Sequence, residues 1–208
     1  MKQLAYAVAA VVLVSTPLTV LSAQPKGTID LFYVLSPELE LEADGVGSVD
    51  LEEGDGFGAK GLFNLSPQLF LAGEYQANSY DEVEGISIDA ELDQMRGGAG
   101  FRFSADSPFY VLGEFIRIDV EFEGESEDDS GFGVHLGANS PVADSLNFYG
   151  QFGYVDVGGD GLEFLAGLAF MFTRQLGGFV DYRHSSLDED GAEATLSDLR
   201  VGLRIALN

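Results

Sequence analysis

The chain contains no cysteine and no tryptophan, and it carries only ten lysines and arginines against 35 aspartates and glutamates, a formal charge of −25. Without cysteine there are no disulfides. The scarcity of basic residues argues against nucleic acid or any polyanion as a partner of the acidic segments. Long apolar runs are also missing. Beyond residue 23 no stretch approaches the roughly 20 residues a spanning helix needs, so a helical membrane protein is excluded. A membrane β-barrel is not, because its strands need only about 9 to 11 alternating residues. What remains is 208 residues with 46% hydrophobic content. That is too apolar for a disordered acidic chain, and the length suits one domain.

The N-terminus has the form of a secretory signal. Lys2 supplies a short charged region, Leu4 to Val14 an apolar run, and Leu21-Ser22-Ala23 a small-residue exit. The expected organisation is a signal peptide over residues 1–23 and a barrel domain over 24–208. Export without cysteine points to a bacterial envelope.

The last segment shows the rule of the whole chain. Leu199, Val201, Leu203, Ile205 and Leu207 alternate with Arg200, Gly202, Arg204, Ala206 and Asn208. A period of two places the two sets on opposite faces of a strand. Ten such segments follow one another, separated by Gly, Asp, Ser and Pro clusters. Phe109 to Phe122 does not keep one phase, since Glu114 is even and Arg117, Asp119 and Glu121 are odd. A β-bulge near Ile116 is therefore expected. The connections around 65–68, 104–108, 139–145 and 173–176 are short, whereas those around 42–55, 79–90, 123–131 and 186–195 read as long acidic loops. Together these features predict an all-β fold, an antiparallel up-and-down transmembrane β-barrel of ten strands, with eight or twelve as alternatives.

Alternation alone does not say whether the apolar face meets lipid or a dry core. Charge placement does. Lys60, Arg96, Arg102, Arg117, Arg183, Arg200 and Arg204 lie on polar strand faces, with acids such as Asp30, Glu74, Glu114, Glu163, Asp181 and Asp198 in the same phase. Such a face suits a narrow lumen of paired charges, with His135 hydrogen-bonded among them. The opposite faces carry Phe63, Phe103, Phe109, Phe148 and Phe172 close to the short turns, as an aromatic girdle would. The apolar side is thus expected to face outer-membrane lipid.

Gln94-Met95-Arg96-Gly97-Gly98-Ala99-Gly100-Phe101, with the signal peptide and the ten alternating segments, resembles the small Gram-negative outer-membrane β-barrel proteins, the broad class of OmpA-like and OmpX-like barrels. The resemblance covers essentially the whole mature chain and implies architecture, not activity. It implies a location in the cell outer membrane and the barrel-assembly machinery as a partner. Members usually end in an aromatic residue, whereas this chain ends Ala206-Leu207-Asn208; the resemblance then implies either that Leu207 serves in that place or that assembly is less efficient.

Three kinds of chemistry are weighed on these residues. The acidic segments suit solvation of the barrel rim, and their carboxylates suit weak Ca²⁺ or Mg²⁺ binding, although no ordered ligand spacing assigns metal residues. Catalysis would have to use His135 or His184; the phase of His184 follows Val180 and Tyr182 toward lipid, so no enzyme is expected. A pore is the main rival, but a ten-stranded lumen is only slightly wider than an eight-stranded one, which side chains fill. The expectation is a cofactor-free monomer with a mostly plugged lumen, serving envelope structure or surface interaction. The alternative is a narrow porin-like channel.

Overall fold

A computed structural model describes residues 26–43, 47–83, 86–122, 125–189 and 192–208. The expected signal peptide lies outside the described residues. Ten strands follow in order: β1 Gly27–Ala43, β2 Gly47–Asn64, β3 Leu69–Val83, β4 Ile86–Arg102, β5 Phe109–Phe122, β6 Glu125–Ala143, β7 Leu146–Asp156, β8 Asp160–Met171, β9 Leu176–Glu189 and β10 Ala192–Leu207. Each pairs antiparallel with its neighbour in sequence, and β10 returns to β1 to close the barrel. The closing register sets Leu203 opposite Leu31 and Arg204 opposite Asp30. Closure leaves no free sheet edge, a condition for any sheet in lipid.

The outward set is apolar around the barrel: Leu31, Leu71, Met95, Phe101, Leu136, Phe152, Leu168 and Leu203 are all exposed. Their alternating neighbours, among them Asp30, Arg96, His135, Glu163, Asp181 and Arg200, are buried inside. A water-soluble barrel would show the reverse, so the outer band is a lipid-facing surface. Phe63, Phe103, Phe109, Phe148 and Phe172 are exposed close to the short turns.

Two expectations are corrected. No bulge interrupts β5, which holds one register with β4 and with β6 throughout. Instead the surroundings change along the strand. Ile116 is fully buried and Ile118 packs against the same interior cluster, while Arg117 and Asp119 project outward and pair at 2.7 Å. Above the lipid the outer face meets water and the inner face meets core, so the polar phase changes sides without any inserted residue. The register shifts that do occur lie between Val34 and Ser36, Tyr80 and Glu82, and Pro141 and Ala143. The first of them turns Leu39 inward.

The long acidic loops are also corrected, because most of their residues are strand. β1 runs to Ala43 and β2 starts at Gly47; β5 runs to Phe122 and β6 starts at Glu125. With 19 residues in β6 and 18 in β2, these strands far exceed the length needed to cross lipid, which is about 9 to 11 residues. The barrel therefore continues beyond the membrane as a β-collar. Glu38, Glu40, Glu42, Glu121, Asp128, Asp188 and Glu193 are exposed on it. Inside the collar, Leu39, Leu51, Tyr80, Leu92, Ile116, Val155, Val157, Leu187 and Leu196 form an apolar core. The collar is lowest at β7–β8, joined by a tight turn with Gly158 at φ 65°, a left-handed conformation that glycine adopts without strain.

Candidate functional site: the charged interior

Below the apolar core, every strand sends at least one polar side chain into a layer across the lumen. Arg200, on β10, is completely buried. Its Nε donates to Asp181 Oδ1 at 2.6 Å, and its Nη1 donates to Glu74 Oε1 at 2.9 Å and to Gln76 Oε1 at 3.2 Å. Arg183 reaches the same Glu74 oxygen at 2.6 Å. Asp181 also accepts from Tyr149 at 2.7 Å and pairs with Lys60. Arg204 grips Asp30 with two parallel bonds of 2.8 and 2.6 Å, the fork geometry in which guanidinium and carboxylate match best.

A second group centres on Arg96. Arg96 donates to Glu114 at 3.0 Å and to both oxygens of Glu163 at 2.9 and 2.6 Å. Ser185 donates to Glu163 at 2.9 Å, and His135 Nε2 lies 3.0 Å from Glu114. Asp198 accepts instead from neutral amides, Gln76 at 2.9 Å and Asn78 at 3.1 Å. Five bases (Lys60, Arg96, Arg183, Arg200, Arg204) thus face six carboxylates (Asp30, Glu74, Glu114, Glu163, Asp181, Asp198). Near-balance is what burial demands, since an unpaired ion in a low-dielectric interior costs several kcal/mol.

The layer gathers eleven of the thirteen residues expected in the lumen: Asp30, Lys60, Glu74, Arg96, Glu114, His135, Asp181, Arg183, Asp198, Arg200 and Arg204. The other two lie elsewhere. Arg102 points inward but sits at the turn-end mouth, its guanidinium 4.7 Å from the Phe70 ring centre. Arg117 is outside the barrel, paired with Asp119 and, at 3.4 Å, with Asp128. Tyr149 joins the layer from the polar phase that the sequence assigns it, whereas the phase of Asn78 and Ser185 shows only when the period of two is extended along β3 and β9.

Glu114, His135 and Glu163 are the one group of metal-ligand type among the described residues, with one ligand atom each within 4.8 Å of the others. Arg96 already neutralises both carboxylates, so the cation place is taken by the protein's own guanidinium. His184 is outside the layer. It lies on the outward face, stacked with Tyr182 at 6.4 Å, with Nδ1 3.0 Å from Ser197 Oγ. That serine lies on a strand position paired on both sides, with His184 of β9 and Glu38 of β1.

The family of the outer membrane protein β-barrel domain matches residues 7–164, more than half of the chain. The protein belongs to that family, and its place is the outer membrane. No curated protein matches the sequence. Among solved structures, the outer membrane protease OmpT of Escherichia coli aligns with a TM-score of 0.58 at 10% identity, over 91% of this chain and 99% of that one. The translocator domain of the autotransporter NalP from Neisseria meningitidis aligns with 0.51 at 13%, over 89% and 90%. The β domain of the Bordetella autotransporter BrkA gives 0.50 at 11%, over 88% and 100%. At these identities the likeness is one of fold.

Proposed function

We propose that the protein is a non-enzymatic outer-membrane barrel with a closed interior, serving envelope structure or contact at the cell surface. The observation that carries this reading is the stacking of two kinds of filling. A layer of interlocked charges is fed by all ten strands, and the collar above it is filled by an apolar core. A hydrated ion would have to displace buried, mutually bonded guanidinium groups and then pass a dry plug.

The alternative reading is a narrow channel, and a specific feature favours it: the turn end of the lumen opens into a cavity of about 1430 Å³. Osmotic swelling of proteoliposomes in a small sugar separates the two. The closed reading expects swelling no faster than in lipid alone, and rapid size-dependent swelling supports the channel.

Lipid of the outer membrane and the assembly machinery that inserts barrels are the partners this reading requires. A monomer suits it, since closure leaves no edge for a second copy to pair with. The acidic collar would attract cationic partners and repel polyanions. Its carboxylates are also suited to weak Ca²⁺ or Mg²⁺ binding. If they bind, the melting temperature in millimolar Ca²⁺ exceeds that in excess chelator; equal values would count against it.

A further inference from the structure

The cavity at the turn end reverses the charge of the rest of the protein. In a chain of formal charge −25, seven of the residues lining this cavity are Lys or Arg and four are Asp or Glu. Those on its floor belong to the paired layer. Those around its mouth do not: among the described residues, no carboxylate lies within ion-pair distance of Lys26, Arg102 or Arg174.

Arg102 is the best placed of the three. Its guanidinium lies over Phe70, which packs edge-on to Tyr110 at 5.4 Å. Among the described residues, the guanidinium's one hydrogen bond is a long 3.4 Å contact to the carbonyl of Pro67. Gly100 and Gly137 make room for those rings, since a Cβ at either would run into Phe70 or Tyr110. Stacking thus fixes the plane of the guanidinium while most of its N–H groups stay uncommitted, an arrangement suited to a carboxylate or phosphate. Asn139, Asn147 and Gln151 add amides to the same wall, and Tyr110 adds a hydroxyl.

We propose that this mouth binds a small anionic sugar, one bearing a phosphate or carboxylate, that enters from the periplasmic side. Arg102 pairs with the anion, the Phe70–Tyr110 rings hold Arg102 in place, and the amides meet the hydroxyls. At about 1430 Å³ the cavity is larger than most small-molecule pockets, which are roughly 300–1,000 Å³, so a sugar would bind there together with water.

The test is calorimetric titration of the folded, detergent-solubilised full barrel with glucose 6-phosphate, with glucose and inorganic phosphate as comparison arms. Saturable binding with Kd of about 1 mM or tighter is expected for glucose 6-phosphate, weakening as salt is raised. Inorganic phosphate should bind more weakly and glucose should not bind detectably. Arg102→Gln should weaken binding about tenfold, the loss of a charge-assisted hydrogen bond. Phe70→Leu, which keeps the charge but removes its platform, should fall between; Arg117→Gln, outside the barrel, should match wild type. No saturable heat in wild type, equal binding of glucose, or an Arg102→Gln barrel that binds like wild type overturns the proposal. Equal affinity for inorganic phosphate overturns the sugar part of it.

Discussion

Leu203→Arg is expected to abolish or sharply reduce insertion, with a cost of about 2 to 4 kcal/mol for an arginine at mid-membrane depth on the lipid face. Leu203 is 54% exposed on the outer surface. It lies between Leu31 of β1 and Gly178 of β9, at the middle of the apolar row from Leu199 to Leu207. An arginine there has no carboxylate in its row to meet and is too central for its head to reach water easily. Folding into lipid vesicles, followed by the electrophoretic mobility of the folded form and by urea titration, measures the effect. The same substitution would be nearly neutral if this face met water, so a wild-type titration curve would mean the barrel is inside out.

The second large effect lies on the inner face. Arg200→Leu removes a completely buried cation and leaves Asp181 and Glu74 each short of a donor. Breaking a buried ion pair by deleting one partner costs about 3 to 5 kcal/mol, because the surviving charge stays buried and uncompensated. Arg117→Leu provides the contrast. Its pair with Asp119 has both side chains more than two-fifths exposed, and exposed pairs of this kind are worth about 1 kcal/mol or less. Urea unfolding in vesicles should therefore separate the two variants widely. If Arg200→Leu were as mild as Arg117→Leu, the charged layer would not be the tightly bonded structure its distances describe.

The sequence was most legible where the chain crosses lipid. There one face must be apolar and the other must fit a narrow lumen, so Leu199 to Leu207 or Phe132 to Ala138 could be assigned to faces residue by residue. It was least legible beyond the membrane. In β5, Ile116 turns inward and Arg117 outward, the opposite of what a lipid-crossing strand would do, and this change of surroundings reads as a phase slip. The acidic stretches look like loops for a related reason. Solvated strands in a collar carry the same Glu and Asp as solvated loops, and only their hydrogen-bonded neighbours distinguish them.

Pairing within the layer was legible only in part. Asp30 and Arg204 are neighbours across the β1–β10 seam, so strand register foretells their contact. Arg200 and Glu74 meet across the lumen, 126 residues apart. That contact depends on barrel width and side-chain reach, neither of which a period of two encodes. The same limit hid the turn-end mouth. Arg102 has the phase of a layer residue, yet it lies toward the turn end, beyond ion-pair distance of the layer's carboxylates.

The claim that the interior is closed is tested most directly by current measurements on the wild-type protein in planar lipid bilayers at high salt. Insertion should be demonstrated independently, and the current should stay at the lipid baseline with no reproducible steps. Uniform, long-lived single-channel steps would contradict the account. They would require a continuous water path past Arg200, Arg96 and the apolar core above them.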